Sequence, residues 1–400
     1  MIEFDVATRR KPVVTDLSEG ARYLVLGDFG GRATEAVSVD RDNFDDVLAR
    51  LDVGLGGVRF RELEDFHPDR LFRRFDIFRD AEPEPAEEPP ARPPSVPRAD
   101  LREILRPSSL LEQITEGGDP FQQYLRELVR PHAAPTPAAN PQRTAALAER
   151  MRALLHHPRF QAIEAAWRGL DFVIRGADDA IARVHLAQFS KQEIARDLAD
   201  TRDLRATRTY TLMHSRRWLA ICGLYSFGGE ASDIELLGRI ALIAAHARTP
   251  FLAEGAVDMG PHWDELRSIP EASYLGLALP RFLLRLPYGR HTSQTDSFEF
   301  EEMPGQPVHA RYLWGNPALA CLALLARGEG TLDLESLPAH TYKQDGEWKM
   351  TPCAEVYLTE PQVAALIDLG LMPLVSFKDS DRVRLAGFRA INSAALPLPS

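Results

Sequence analysis

WLAICGLYSF, residues 218–227, followed after GGEAS by DIELLGRIALIAAHA, residues 233–247, decides the fold class. The first ten residues are almost unbroken apolar sequence, short enough for a strand and too apolar for a half-exposed one, so they read as a buried strand. The second stretch is an apolar-faced helix that ends at Pro250. A strand feeding directly into a helix is the building unit of α/β proteins. Working outward, YLGLALP (274–280) is another strand and RVHLAQF (183–189) alternates like one. SKQEIARDLAD (190–200) opens with Ser190 and, three residues on, Glu193, a capping box that starts a helix. Upstream, Leu147, Met151, Leu154 and Leu155 share one helical face. Pro158 restarts the helix, and Phe160, Ile163, Trp167 and Leu170 form the next face.

The N-terminal part has its own α/β pattern. ARYLVLG (21–27) is a strand, DFGGR a loop, and Phe44, Val47, Leu48 and Leu51 fall at helical spacing after Asp40 or Asp42 as cap. VRFREL (58–63) alternates like a strand, and DFHPDRLFRRF (65–75) starts a helix with Pro68 in its first turn. Between this part and the rest lies AEPEPAEEPPARPPSVPRA (81–99), a Pro- and Glu-rich linker that buries too little apolar surface to fold. A second proline-rich hinge covers 131–141. The expected organisation is therefore a small domain at 1–80, a linker at 81–100 and a larger domain at 101–400, with the small α/β unit packed on the larger one and no internal repeat.

The chain has 400 residues and a hydrophobic fraction of 44%, ordinary for a globular protein. Its net charge of −11 argues against nonspecific binding to nucleic acid or to an anionic membrane. Cys222, Cys321 and Cys353 are too scattered for a zinc site or a disulfide framework, which fits a reducing cytoplasm. The N-terminus has no signal peptide pattern, and the longest apolar run, Ala318 to Ala326, is too short to span a bilayer.

The candidate chemistry is thin. His156 and His157 are adjacent, about 100° apart on a helix, and cannot share a ligand as i, i+4 histidines do; a helix break with His157 near the N-cap explains them better. LVLGDFGGR (24–32) suggests a phosphate cradle, but its glycines miss the GxGxxG spacing and no GKS or GKT follows, so a tight turn is favoured. The acids Glu64, Asp65 and Asp69, and the set Glu299, Glu301 and Glu302, could do acid–base work or bind metals. The alternation of FEFEE (298–302) instead suggests a solvated strand with Phe298 and Phe300 on one side. No nucleophile motif is present, and no cofactor or metal is expected.

Several stretches resemble the contractile sheath proteins of the type VI secretion system. LLHHPRFQAIEAAWRGL (154–170) is similar to the large sheath subunit's HHPxFQxLExxWRGL signature. The same order of words continues through 218–255, LPRFLLRLPYG (279–289), YLWGNPALA (312–320), LPAHTYK, and PCAEVYLTEPQVAALIDLGLMPLVSFKDSD, covering about 108–382. RYLVLGDFGGR, VDRDNFDDVLARL and LEDFHPDRLF resemble the small sheath subunit, so the chain looks like a fusion of both.

The resemblance implies a contractile-sheath-like fold and a non-enzymatic, cytoplasmic structural subunit that packs around an inner tube and contracts to propel it. The alternative is a non-polymerising cap, adaptor or assembly regulator on the same fold; a hydrolase or ligand-binding enzyme is the third reading. Implied partners are other copies or other sheath subunits, the inner tube protein, baseplate components and an AAA+ recycling unfoldase, with no nucleic acid or membrane. Implied structural residues are Asp65, Phe66, His67 and Pro68; His156, His157, Pro158, Phe160, Trp167 and Arg168; Arg281, Phe282, Pro287, Tyr288 and Gly289; and Trp314, Gly315 and Asn316. Arg168 is expected to pair with an acid. Against the family pattern, the large subunit's C-terminal part and the small subunit's C-terminal arm are expected to be missing or replaced by the linker, and the large subunit's N-terminal helix finds no clear match. That leaves Ile2 to Val6 as the candidate strand for lattice pairing.

Overall fold

Among the residues described in a computed structural model, 20–81, 141–199, 201–328 and 330–398, the alternation of strand and helix builds one nine-stranded sheet. The N-terminal part supplies β1 (Ala21–Gly27), β2 (Val37–Val39), α1 (Phe44–Arg50), a small hairpin of β3 (Gly54–Leu55) and β4 (Val58–Arg59), and α2 (Pro68–Arg74). Then come α3 (Pro141–Leu155), α4 (Pro158–Gly176), β5 (Ala182–Gln188), α5 (Lys191–Ala199), α6 (Arg208–His214), β6 (Ala220–Phe227), α7 (Ala231–Ala247), β7 (Phe251–Gly255), α8 (Trp263–Ser268) and β8 (Leu275–Leu279). The last third holds β9 (Phe282–Leu283), β10 (Trp314–Gly315), α9 (Pro317–Arg327), β11 (Asp333–Leu334), a hairpin of β12 (Thr341–Gln344) and β13 (Glu347–Met350), α10 (Glu360–Asp368), β14 (Leu371–Ser376) and β15 (Val383–Leu385).

The strand order is β11-β15-β14-β8-β7-β6-β1-β5-β2. The run from β14 to β5 is parallel throughout, and β2, β15 and β11 close the two edges antiparallel. Every residue of β8 is buried, as expected of a parallel strand covered on both faces. β1 lies inside this sheet: Val25 is opposite Leu186 of β5 on one side and Cys222 of β6 on the other. The described parts of residues 1–75 and 148–400 thus belong to one compact unit, and those of 76–147 to a second.

Local signals explain the element ends. Ser190 and Glu193 form the reciprocal capping box that starts α5, with Ser190 N–H donating to Glu193 Oε2 at 2.7 Å and Glu193 N–H to Ser190 Oγ at 3.2 Å. α7 stops at Ala247 because Arg248 turns left-handed, two residues before Pro250. The apolar run 318–326 is the buried core of α9, whose N-cap is Asn316.

Two strands expected from alternation do not form. Of VRFREL, only Val58–Arg59 is paired as a strand, and Leu63–Phe66 is a 3₁₀ turn. FEFEE is irregular chain; Glu299 and Glu301 are exposed, but Glu302 is buried. The linker from residue 82 onward, the hinge up to 140, and Ile2 to Val6 lie outside the described residues.

Candidate functional site

α4 is the element on which the signature words meet. His157 is its N-cap and Pro158 its first residue, both exposed, so the proline's missing N–H costs nothing there. Phe160, Ile163, Trp167 and Leu170 are buried on one face. The Trp167 indole N–H donates to Phe29 O at 2.9 Å, and its ring meets Phe29 and Phe44 edge-on at centroid distances of 5.3 and 5.5 Å. Phe160 meets Phe60 and Phe66 edge-on, and those two rings stack on each other at 4.5 Å. Gly30 lets the chain pass over α4, since a Cβ there would lie 2.7 Å from Ile163 Cδ1. At the far end, the Arg41 guanidinium donates to Arg175 O at 2.9 Å and Ala177 O at 3.2 Å, satisfying carbonyls at the helix C-terminus. The N-terminal part is thus fastened along the whole length of α4.

The neighbouring flank of α4 carries charge. Glu164 has no exposed surface, and Arg168 one turn later donates Nε–H to its Oε1 at 2.7 Å. Arg285 approaches the same carboxylate with Nε at 2.8 Å and a second nitrogen at 3.2 Å. It also donates to Glu302 at 2.7 and 3.3 Å and to Leu286 O at 3.1 Å. All five N–H groups of a guanidinium are thereby used. Its plane lies 4.1 Å over the Tyr288 ring, and Tyr288 Oη accepts from Arg168 at 2.9 Å. Glu302 further accepts the Tyr288 N–H at 2.8 Å, and His156 Nε2 lies 3.3 Å from its other oxygen. Burial alone would push the Glu302 carboxyl up; Arg285, His156 and the Tyr288 N–H outweigh it and hold the group down at about 2. Burial raises the Tyr288 phenol to about 12. Two carboxylates and two guanidiniums neutralise one another in a desolvated place, which works only because hydrogen bonds hold each of them in place.

Of the remaining signature residues, His67 reaches this junction and the others make contacts of their own. The His67 ring meets Tyr288 edge-on at 5.0 Å, its Nε2 lies 3.3 Å from Ser293 Oγ, and its Nδ1 accepts the Asp69 N–H that starts α2, where Pro68 is the first residue. Asp69 in turn accepts the N–H groups of Asp296 at 3.0 Å and Ser297 at 2.8 Å. Asp65 is buried, accepts the Arg61 N–H at 2.7 Å and pairs with Arg74. Pro287 O accepts the Thr292 hydroxyl, and Gly289 leaves room for Glu301, whose Oε2 would lie 2.2 Å from a Cβ. Gly315 pairs with Phe282 and Trp314 with Leu283. Arg281 pairs with Glu355 through two hydrogen bonds. Asn316 Nδ2 lies 3.3 Å from Glu254, whose carboxyl is raised to about 7 by burial against the opposing pull of Arg281. Sequence reasoning missed Glu164, Arg285, Glu254 and Glu355. Only Glu164 carried a local signal, its i, i+4 spacing to Arg168.

An open parallel sheet binds ligands beyond the carboxyl ends of its strands, where the winding reverses, which here is beside β1. That crevice is filled by the protein's own polar groups. Gln188 Nε2 donates to Asp28 Oδ1 at 3.0 Å, and Phe29 N–H donates to Gln188 Oε1 at 2.6 Å. Lys191 reaches Ser226 O and Asp233, each at 2.6 Å, and Gly30 N–H is turned onto the Asp28 carboxylate at 3.0 Å. The glycines of LVLGDFGGR therefore serve a turn and a close helix approach.

The signature side chains thus fasten the chain's own segments together around a largely parallel sheet, and the family they mark is that of tail-sheath proteins. The chain belongs to the VipB family, described as EvpB/VC_A0108, tail sheath N-terminal domain, whose model matches residues 143–261 and 257–394. It is similar to the type VI secretion system sheath protein TssC1 of Pseudomonas aeruginosa, with 26% identity over 299 residues. That similarity covers 63% of this chain, and the chain spans 60% of the relative's length. No described helix is long and apolar enough to cross a membrane.

Proposed function

We propose that this chain is a non-enzymatic structural subunit of a type VI secretion-like contractile sheath in the cytoplasm. It associates with further copies or other sheath subunits around an inner tube, on a baseplate, and is recycled by an AAA+ unfoldase. Contraction is a rigid-body change between two packings of such subunits, with no covalent chemistry in this chain. The observation that carries the reading is the family match together with the junction, where side chains of the family-like words at 154–170, 279–289 and 65–68 interlock.

The reading extends to the chain's organisation. Residues 1–80 correspond to the small subunit, 101–400 to the large one, and 81–100 link them. What supports it is the place of β1: a strand donated from one partner between two strands of the other makes an obligate pair, and fusion keeps that pairing intramolecular. Negative-stain electron microscopy of the purified full chain, alone and with its inner tube protein, tests the proposal. Tubes or rings of regular diameter are expected. A stable monomer under both conditions overturns the sheath reading and favours the non-polymerising accessory.

A further inference from the structure

Away from the junction, three donor atoms converge between α6 and α7. His214 Nε2 lies 2.9 Å from His246 Nδ1, and Tyr210 Oη lies 3.1 Å from that same His246 nitrogen. The His214 ring is held in place twice. It stacks on Tyr210 at 3.8 Å with planes 14° apart, and its Nδ1–H donates to Tyr210 O at 3.0 Å. That second bond fixes the tautomer, because a carbonyl only accepts; Nε2 is left with its lone pair toward His246. A histidine whose far nitrogen donates to a carbonyl while the near one is left as an acceptor is the outer-shell arrangement of metal-ligating imidazoles.

We propose that His214 Nε2 and His246 Nδ1 bind one copper(II) or nickel(II) ion, with Tyr210 Oη beside it and water in the remaining positions. Two nitrogens about 2.05 Å from a common ion are about 2.9 Å apart at a right angle and about 3.3 Å apart in a tetrahedron, so their spacing suits square-planar or octahedral ions better than zinc. In the ion's absence His246 Nδ1–H donates to His214 Nε2; on binding, that proton moves to His246 Nε2 and both rings ligate as neutral bases. Among the described residues no group of three or more His, Cys, Asp or Glu is placed to hold a metal, so affinity rests on these two nitrogens. The bound ion ties the last turn of α6 to the last turn of α7.

Titration of the full chain with copper(II) chloride, followed by calorimetry and electron paramagnetic resonance, tests this. One ion per chain and hyperfine coupling to two nitrogens are expected. His246→Ala leaves one nitrogen and weakens binding at least about tenfold; Tyr210→Phe keeps both nitrogens. His246 is exposed, so that variant carries the test even where His214→Ala melts early. No binding to the parent chain, or the same isotherm and the same two nitrogens in His246→Ala, overturns the site, the latter because another of the chain's 11 histidines must then hold the ion.

Discussion

The two flanks of α4 do different work with the same helix. On one flank Phe160, Ile163, Trp167 and Leu170 are buried, and Trp167 and Phe160 pack against Phe29, Phe44, Phe60 and Phe66 of the N-terminal part. About 100° further round, Glu164 and Arg168 lock the 285–302 segment through Arg285 and Glu302. Apolar burial is non-directional and supplies most of the free energy of such a seam. The ionic flank adds little net stability over a well-packed apolar substitute, but it accepts only one placement of Arg285, so it sets where the segment sits. Removing one member should therefore cost far more than the whole network contributes.

The largest effect is expected from Arg285→Ala, which strands two buried carboxylates and should destabilise by about 5 kcal/mol in urea unfolding. Loss of less than about 1 kcal/mol would mean water already screens the junction. Trp167→Ala should cost about 3–5 kcal/mol, as large aromatic truncations do. A similar loss in Trp167→Phe, which keeps most of the apolar contact, would place the weight on the indole hydrogen bond instead.

Acid separates the flanks without mutation. Glu302 is held at about 2 in the fold. An unfolded glutamate titrates near 4.3, so the stability it contributes is present above about pH 4.3 and lost as pH falls toward 2, on the order of 3 kcal/mol. Urea midpoints measured between about pH 5 and about pH 2.5 should fall along this limb, and less steeply in Glu302→Gln relative to its own value at pH 5. The smallest effect is expected from Arg175→Ala on the same helix. Its ion pair with Asp171 is exposed, so the change should be under about 0.5 kcal/mol; more would give surface pairs on α4 a role they are denied here.

The apolar flank was legible in sequence because it repeats at helical spacing, and so were β1, β5, β6, β8 and α7, each long enough to show a period or a continuous apolar run. The two-residue strands β9 and β10 were not, since no period fits two residues. The alternation in FEFEE was a true pattern with the wrong meaning: an exposed strand and an irregular segment with one acid turned inward look alike until the inward partner is known. That partner, Arg285, is separated from Glu302 by 17 positions and from Glu164 by 121. The proline-rich break near residue 80 marked a change in chain composition and not an edge of the sheet, because neighbouring parallel strands need not be neighbours in sequence.

The central claim is that β1 makes the N-terminal part and the sheath-family region one body. β1 pairs with β5 from Ala21↔Ala182 to Gly27↔Gln188 and with β6 on its other side, so withdrawing it would open two rows of backbone donors and acceptors. A site-specific protease sequence inserted after Ser95 allows the connection to be cut in the folded protein. After cleavage the two fragments should elute together on gel filtration and part only in denaturant. Fragments that elute separately without denaturant, with the larger one keeping its circular dichroism and its melting temperature, would contradict the account.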